Sequence, residues 1–133
     1  MTTHFHSTGI IVKDMARSLA FYRLLGLDIP AEADNQPHVD CELAPGVSLT
    51  WDTEDVIRSF DARWQPAARG GERTGLAFQC DSPADVDATY EALITAGGTG
   101  DLKPWDAAWN MRYATVLDPD GIGVSLLAPL SGE

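Results

Sequence analysis

The sequence predicts an α+β fold built twice from the same parts: one strand, one helix, then three strands. Three observations carry that prediction. A β-branched run, Thr8-Gly9-Ile10-Ile11-Val12-Lys13-Asp14, leads into apolar positions Leu19, Tyr22 and Leu25 at helical spacing and stops at Gly26. The same order begins again with Thr74-Gly75-Leu76-Ala77-Phe78-Gln79-Cys80-Asp81, followed by Val86, Tyr90 and Leu93 at helical spacing and a stop at Gly97. Each copy then closes on one tetrapeptide, Gly46-Val47-Ser48-Leu49 in the first and Gly123-Val124-Ser125-Leu126 in the second. An internal repeat constrains architecture more strongly than any single motif.

Taken in order, residues 5–13 are apolar and β-branched enough for a strand, and Asp14 is placed to cap the helix that follows. Short strands are expected at 27–30, 38–43 and 46–51, the last two joined by Ala44-Pro45-Gly46, a turn signal. From Asp52 to Gly71 the composition becomes charged and bears Pro and Gly. This stretch is the expected connector, over about 53–71 between modules at about 4–52 and 72–130, with a short helix at Asp55 to Phe60. In the second copy a strand over 73–80 leads to a helix from Pro83, a residue suited to the first turn, to Ala96. Strands at 99–103, 111–117 and 122–127 complete it, with Asp118-Pro119-Asp120-Gly121 as the last turn.

Composition excludes several classes of function. A chain of 133 residues with 44% apolar content can bury one core, and it carries no apolar run long enough to cross a bilayer. The start, Met1-Thr2-Thr3-His4-Phe5-His6, lacks the basic and apolar regions of a signal peptide, so a cytoplasmic protein with no membrane partner is expected. Cys41 and Cys80 each lie in strand-like runs and are expected as free thiols in a reducing compartment. The net charge of −11 argues against nucleic acid, whose affinity comes from Lys and Arg on phosphates, and tolerates a cationic small molecule.

The string from Gly9 to Gly26, Gly-Ile-Ile-Val-Lys-Asp-Met-Ala-Arg-Ser-Leu-Ala-Phe-Tyr-Arg-Leu-Leu-Gly, together with Asp118-Pro119-Asp120-Gly121, resembles the glyoxalase/bleomycin-resistance/dioxygenase superfamily, the vicinal oxygen chelate proteins. The resemblance covers nearly the whole chain. It implies two βαβββ modules curled into half-open barrels, and a homodimer with ligand clefts between modules, in which segments are often exchanged. The superfamily holds both metal enzymes and metal-free binding proteins, so fold alone does not assign function. In its metal-dependent members a His stands in the first strand of each module and a Glu or His in the last. The matching positions here are Ser7 and Ser48, then Thr74 or Gly75 and Ser125. Neutral hydroxyls and glycine are poor substitutes for imidazole and carboxylate, so no metal and no cofactor is expected. His4 and His6 share a strand face opposite that of Ser7, and the preferred reading is two partly exposed histidines near a terminus; a one-residue slip would bring them into the cleft.

Parity along the hairpin describes the rest of the cleft. With Val39, Cys41 and Leu43 turned to the helix side, His38, Asp40 and Glu42 face the cleft, as do Ser48, Thr50 and Asp52 on the partner strand. That wall is polar and acidic, suited to a ligand bearing amines or hydroxyls; the competing reading is the solvated face of a half-exposed hairpin. Of the four tryptophans, Trp51 alternates with polar residues and is expected in the core. Trp64, Trp105 and Trp109 lie among Pro, Gly and Asp, and Lys103 to Asn110 is expected as a loop presenting flat rings to a planar ligand.

The segments Ile29 to Asp34, Pro37-His38, Trp51-Asp52-Thr53, Leu102 to Trp109 and Arg112-Tyr113-Ala114 look closely like those of mitomycin-binding resistance proteins and related antibiotic-binding proteins. That resemblance implies a planar quinone held between a His ring and a Trp ring at a dimer cleft, at His38 and Trp109. The expected ligand-binding residues are thus His38, Trp109, Trp105, Trp64, Thr50, Asp52, Tyr113 and Phe60, with no catalytic residue. The expected function is sequestration of a planar aromatic antibiotic, for self-resistance or export. Two alternatives stay open. One is a small enzyme, either metal-dependent through His4 or His6 or a metal-free isomerase with Asp40, Glu42 or Asp52 as base. The other is a sequesterer that shields a reduced quinone, with no nucleotide-binding glycine motif to supply a reductant.

Overall fold

A computed structural model describes residues 2, 4–66 and 74–130. The elements are β1 (Ser7–Val12), α1 (Met15–Arg23), a 3-10 helix (Ala31–Asn35), β2 (His38–Ala44), β3 (Val47–Thr53), α2 (Glu54–Phe60), β4 (Leu76–Gln79), α3 (Pro83–Thr95), β5 (Thr99–Ala107), β6 (Met111–Leu117) and β7 (Gly123–Pro129). They form two sheets, ordered β1-β3-β2 and β4-β7-β6-β5. In each, the first strand of the module runs parallel to the last, β1 with β3 and β4 with β7, so the sequence repeat is a structural one. Part of the expected connector, residues 67–71, and the first residue of the strand expected at 73 lie outside the described residues.

The helices begin where the sequence supplies caps. Asp14 accepts from the Arg17 amide, Thr53 from Val56, and Ser82 from Asp85, each satisfying an otherwise orphaned N–H. Gly26, at φ 92°, turns the chain out of α1 in a conformation that a side chain would resist.

The first module departs from the expected pattern at residues 27–30. No strand forms there. The Arg23 guanidinium explains this: Nε donates to the Ile29 carbonyl and Nη2 to the Pro30 carbonyl, both at 2.8 Å, so a side chain takes the acceptors a ladder would use. Asp34 holds the same guanidinium at 2.9 Å. The second correction is the segment from Lys103 to Asn110. Most of it belongs to β5, which runs through Ala107, and only Ala108, Trp109 and Asn110 form the turn. β5 is an edge strand with a register shift between Leu102 and Trp105, a position where Pro104 costs no ladder bond. Leu43 is a third: it is exposed, because a bulge between Glu42 and Ala44 breaks the alternation.

One core serves both modules. Leu19, Phe21 and Tyr22 of α1 and Leu49 and Trp51 of β3 join Val86, Leu93, Val116, Val124 and Leu126 in a single buried cluster. Trp51 is wholly buried edge-to-face against Tyr22, ring centroids 5.5 Å apart, as its core assignment requires. Gly98 permits a close approach between modules: a Cβ there would sit 3.0 Å from the Phe21 ring, and as close to Val116 of its own module.

A polar latch crosses the same boundary. The Tyr22 hydroxyl donates to Asp118 Oδ2 at 2.7 Å, and Asp118 Oδ1 accepts from the amides of Asp120 and Ile122 at 2.8 and 2.9 Å. Asp120 accepts from the Lys13 amide at 2.9 Å. Burial raises the Asp118 carboxyl above its ordinary value, against the opposing effect of its hydrogen bonds, and burial raises Asp120 as well. Tyr22→Phe should therefore lower the unfolding free energy by ~1–3 kcal/mol in a urea titration, since it leaves a buried carboxylate short of a donor. Because the folded-state value of Asp118 lies above the unfolded one, the folded chain binds more protons. Stability from this group is full below the ordinary carboxyl range and falls as pH rises through the folded value; Asp118→Asn should remove that part of the pH slope. The β5–β6 turn makes a second prediction. Asn110 stands at φ 64° in a left-handed conformation, its amide donating to the Ala107 carbonyl at 3.1 Å. Asn110→Val should cost about 1–2 kcal/mol in thermal unfolding, whereas Asn110→Gly keeps the turn.

Candidate functional site

Each sheet has one face in the core and one face open, and His38, Thr50, Asp52, Trp105 and Tyr113 fall on the open faces. On the first sheet β3 contributes Ser48, Thr50 and Asp52, paired in register with Glu42, Asp40 and His38 of β2 and with Ser7, Gly9 and Ile11 of β1. Their neighbours Val39, Leu49 and Trp51 are buried, so the parity read from the hairpin holds over this stretch. Gly9 keeps the floor open beside Thr50, whose Oγ1 would lie 3.2 Å from an added Cβ.

His38 is the centre of this wall. Its Nδ1 lies 2.6 Å from Asp52 Oδ1 and its Nε2 lies 2.7 Å from Asp40 Oδ1. The hydrogen bond to Asp52 raises the imidazole above its ordinary value, partial burial opposes it, and Asp40 adds to the rise. With both edges occupied, the faces of the ring are its free surfaces. The pairing of His38 with Asp40 was legible only as a spacing of two residues on one strand face, and sequence reasoning placed both on the wall without joining them.

On the second sheet β5 and β6 build an aromatic cluster. Trp105 and Tyr113 are cross-strand partners with ring centroids 5.5 Å apart, and Trp109 reaches back from the turn to within 5.4 Å of Tyr113 and 6.0 Å of Trp105. All three contacts are edge-to-face, the arrangement the ring quadrupoles favour. Trp109 remains 58% exposed. On the opposite face of the same hairpin, Arg112 grips Asp87 of α3 with two hydrogen bonds, 2.9 and 3.1 Å, and Asp106 of β5 with a third at 3.0 Å. That fork ties the hairpin to α3 and so fixes the side on which Tyr113 and Trp105 stand. Nothing local in the sequence signals it, because Asp87 and Arg112 are far apart along the chain.

The remaining candidates lie elsewhere. Trp64 stands in the connector under Arg58, whose guanidinium carbon is 5.2 Å from the ring centroid. It lines a cavity of about 520 Å³ between the modules, together with Gly9, Ile11, Glu54, Leu117 and Asp120. Phe60, at the end of α2, is 74% exposed and joins neither group. His38 with Asp40 and Asp52 is on one sheet and Trp105, Trp109 and Tyr113 on the other. Among the described residues no ring contact or hydrogen bond joins the two sets.

The positions that would hold a metal do not suit one. Ser7 and Ser48 are register partners, but Ser125 pairs with Ala77, so the counterpart in the second module is Ala77 rather than Thr74 or Gly75. Three hydroxyls and a methyl group offer no imidazole or carboxylate, and among the described residues no group of three His, Cys, Asp or Glu side chains is arranged to hold an ion. Both cysteines are free, and His4 and His6 are exposed. No helix among the described residues is long and apolar enough to cross a membrane.

Comparison with known proteins places this geometry in a family. A glyoxalase-related enzyme from Fulvimarina pelagi superposes with a TM-score of 0.77 at 18% identity, over 95% of this chain and 88% of that one. A glyoxalase/bleomycin resistance protein/dioxygenase family enzyme from Burkholderia phytofirmans PsJN gives 0.76 at 18% identity, over 91% and 94%. A glyoxalase/bleomycin resistance protein/dioxygenase from Nocardioides gives 0.66 at 25% identity, over 100% and 87%. A comparison with curated proteins returned no match. The family model for this fold matches residues 4–126, and the chain belongs to the Glyoxalase/Bleomycin resistance protein/Dioxygenase superfamily.

Proposed function

We propose that this chain is a metal-independent member of its superfamily that binds a planar aromatic small molecule and holds it without making or breaking a bond. The role is that of an antibiotic-sequestering or carrier protein, with a mitomycin-like quinone as the first ligand to try. The Trp105–Trp109–Tyr113 cluster carries the reading. Three large rings braced edge-to-face on a hairpin that Arg112 anchors are rigid, and most of the Trp109 ring lies in water. Such a platform binds a flat ring system at little cost in conformational freedom. The His38 ring supplies a second flat surface, and Thr50 and Asp52 supply polar atoms to orient substituents. In the proposed homodimer the polar sheet of one copy covers the aromatic sheet of the other, so each dimer holds two ligands. The acidic wall favours ligands with amine or hydroxyl donors over anionic ones.

An enzyme is the second reading, and it has two supports. Two of the structural neighbours named above are described as enzymes, and that favours a small lyase, isomerase or dioxygenase over a binding protein at the level of the superfamily. His38 beside Asp52 also has the composition of an acid–base pair. Against it stands the geometry of His38, whose two nitrogens are both engaged by carboxylates.

Tryptophan fluorescence of metal-stripped protein, titrated with mitomycin C and with anthraquinone and quinoxaline compounds, separates the two. Saturable quenching at micromolar concentration or below, with the ligand recovered unchanged by mass spectrometry, is the expected result; consumption of the ligand supports the enzyme. Trp109→Ala should weaken binding by ~1 kcal/mol or more, several-fold in Kd, with an unchanged circular dichroism spectrum. An unaltered affinity moves the site away from the hairpin.

A further inference from the structure

A neutral imidazole carries one N–H and one lone pair. At His38 both nitrogens meet carboxylate oxygens, 2.6 Å to Asp52 and 2.7 Å to Asp40. A lone pair held that close to a carboxylate is repelled, so the two contacts coexist only when both nitrogens are protonated and both donate. The imidazolium is then pinned at both edges, which leaves its faces as the surfaces open to a ligand. The charged groups that face it are few. Asp40 comes from its own strand and Asp52 from β3; the positions next to them in register are Thr50 of β3 and Ile11 of β1, neither of which titrates.

We propose that the charge of His38 gates ligand retention. While the ring is an imidazolium, two carboxylates hold it flat for stacking; once it loses its proton to solvent, one carboxylate loses its donor and the ring is free to turn. The site therefore grips its planar ligand while His38 is charged and lets it go as pH rises through the His38 titration. The direction of the His38 shift agrees, because a raised imidazole value carries the charged form to higher pH than an ordinary histidine allows. This gate rests on the ligand-binding reading given above and adds its regulation: retention is linked to proton concentration through a residue that contacts the ligand by its face.

The test uses the full chain and 1,4-diaminoanthraquinone, a planar probe chosen because its own groups do not titrate in the working range. Tryptophan quenching gives Kd at each pH, and the His38 ring signal in NMR, assigned with His38→Gln, gives its titration midpoint on the same samples. If only the charged form binds, the apparent Kd rises about tenfold for each pH unit above that midpoint. Asp52→Asn should lower the midpoint and move the release point down with it. Asp40→Asn, at a more exposed position, should shift both in the same direction and serves if the first variant fails to fold. Saturable binding whose Kd is level across the His38 titration overturns the gate and leaves sequestration standing. So does a release point that stays put when the midpoint moves. Absence of quenching at every pH overturns the binding reading and the gate together.

Discussion

A β-strand sends successive side chains to opposite faces, and in this chain one face of each sheet is already spoken for. Val39, Leu49 and Trp51 on the first sheet and Ala114, Val116, Val124 and Leu126 on the second are buried in one shared core. Their alternates have nowhere to go but the other side. His38, Asp40, Thr50 and Asp52 on one open face, and Trp105 and Tyr113 on the other, stand where they do because of what their neighbours bury. A one-residue slip in either hairpin would exchange core for cleft, so the hydrophobic pattern that stabilises the fold also specifies the site.

The two open faces differ in chemistry. One is acidic and carries a histidine tied at both edges; the other is aromatic and nearly devoid of charge. Neither amounts to a complete pocket, because a flat ring is held well only from both sides. The latch of Tyr22 and Asp118, with Asp120 on the Lys13 amide, ties the two modules together. The charges that brace the aromatic hairpin are on its far side, where Arg112 joins Asp87 and Asp106.

How much of this was legible in the sequence depended on whether the controlling interaction was local. The repeat, the cap at Asp14, the helix start at Pro83 and the parity of Val39 against His38 are short-range patterns, and they read correctly. Residues 27–30 look like a strand, and only the Arg23 side chain, folding back on their carbonyls, says otherwise. Lys103 to Ala107 looked like a loop because Pro and Asp weaken strand propensity, yet an edge strand with a register shift accepts both. The grouping of Trp105, Trp109 and Tyr113 depends on the tight Asn110 turn, and the Arg112 fork on contacts distant in sequence. Phe60 and Trp64 lie in the connector, and nothing local in the sequence says whether the fold brings that segment to the aromatic platform; it does not.

The ligand-binding proposal puts the aromatic hairpin and His38 in one site, although they lie on different sheets of the chain. The most direct test is a two-dimensional NMR titration with mitomycin C that follows the four tryptophan indole N–H signals and the His38 ring together. Trp105, Trp109 and His38 are expected to move along one binding curve while the buried Trp51 stays fixed. Movement of Trp64 alone, with Trp109 and His38 unmoved at saturation, would contradict it and place the ligand in the cavity between the modules.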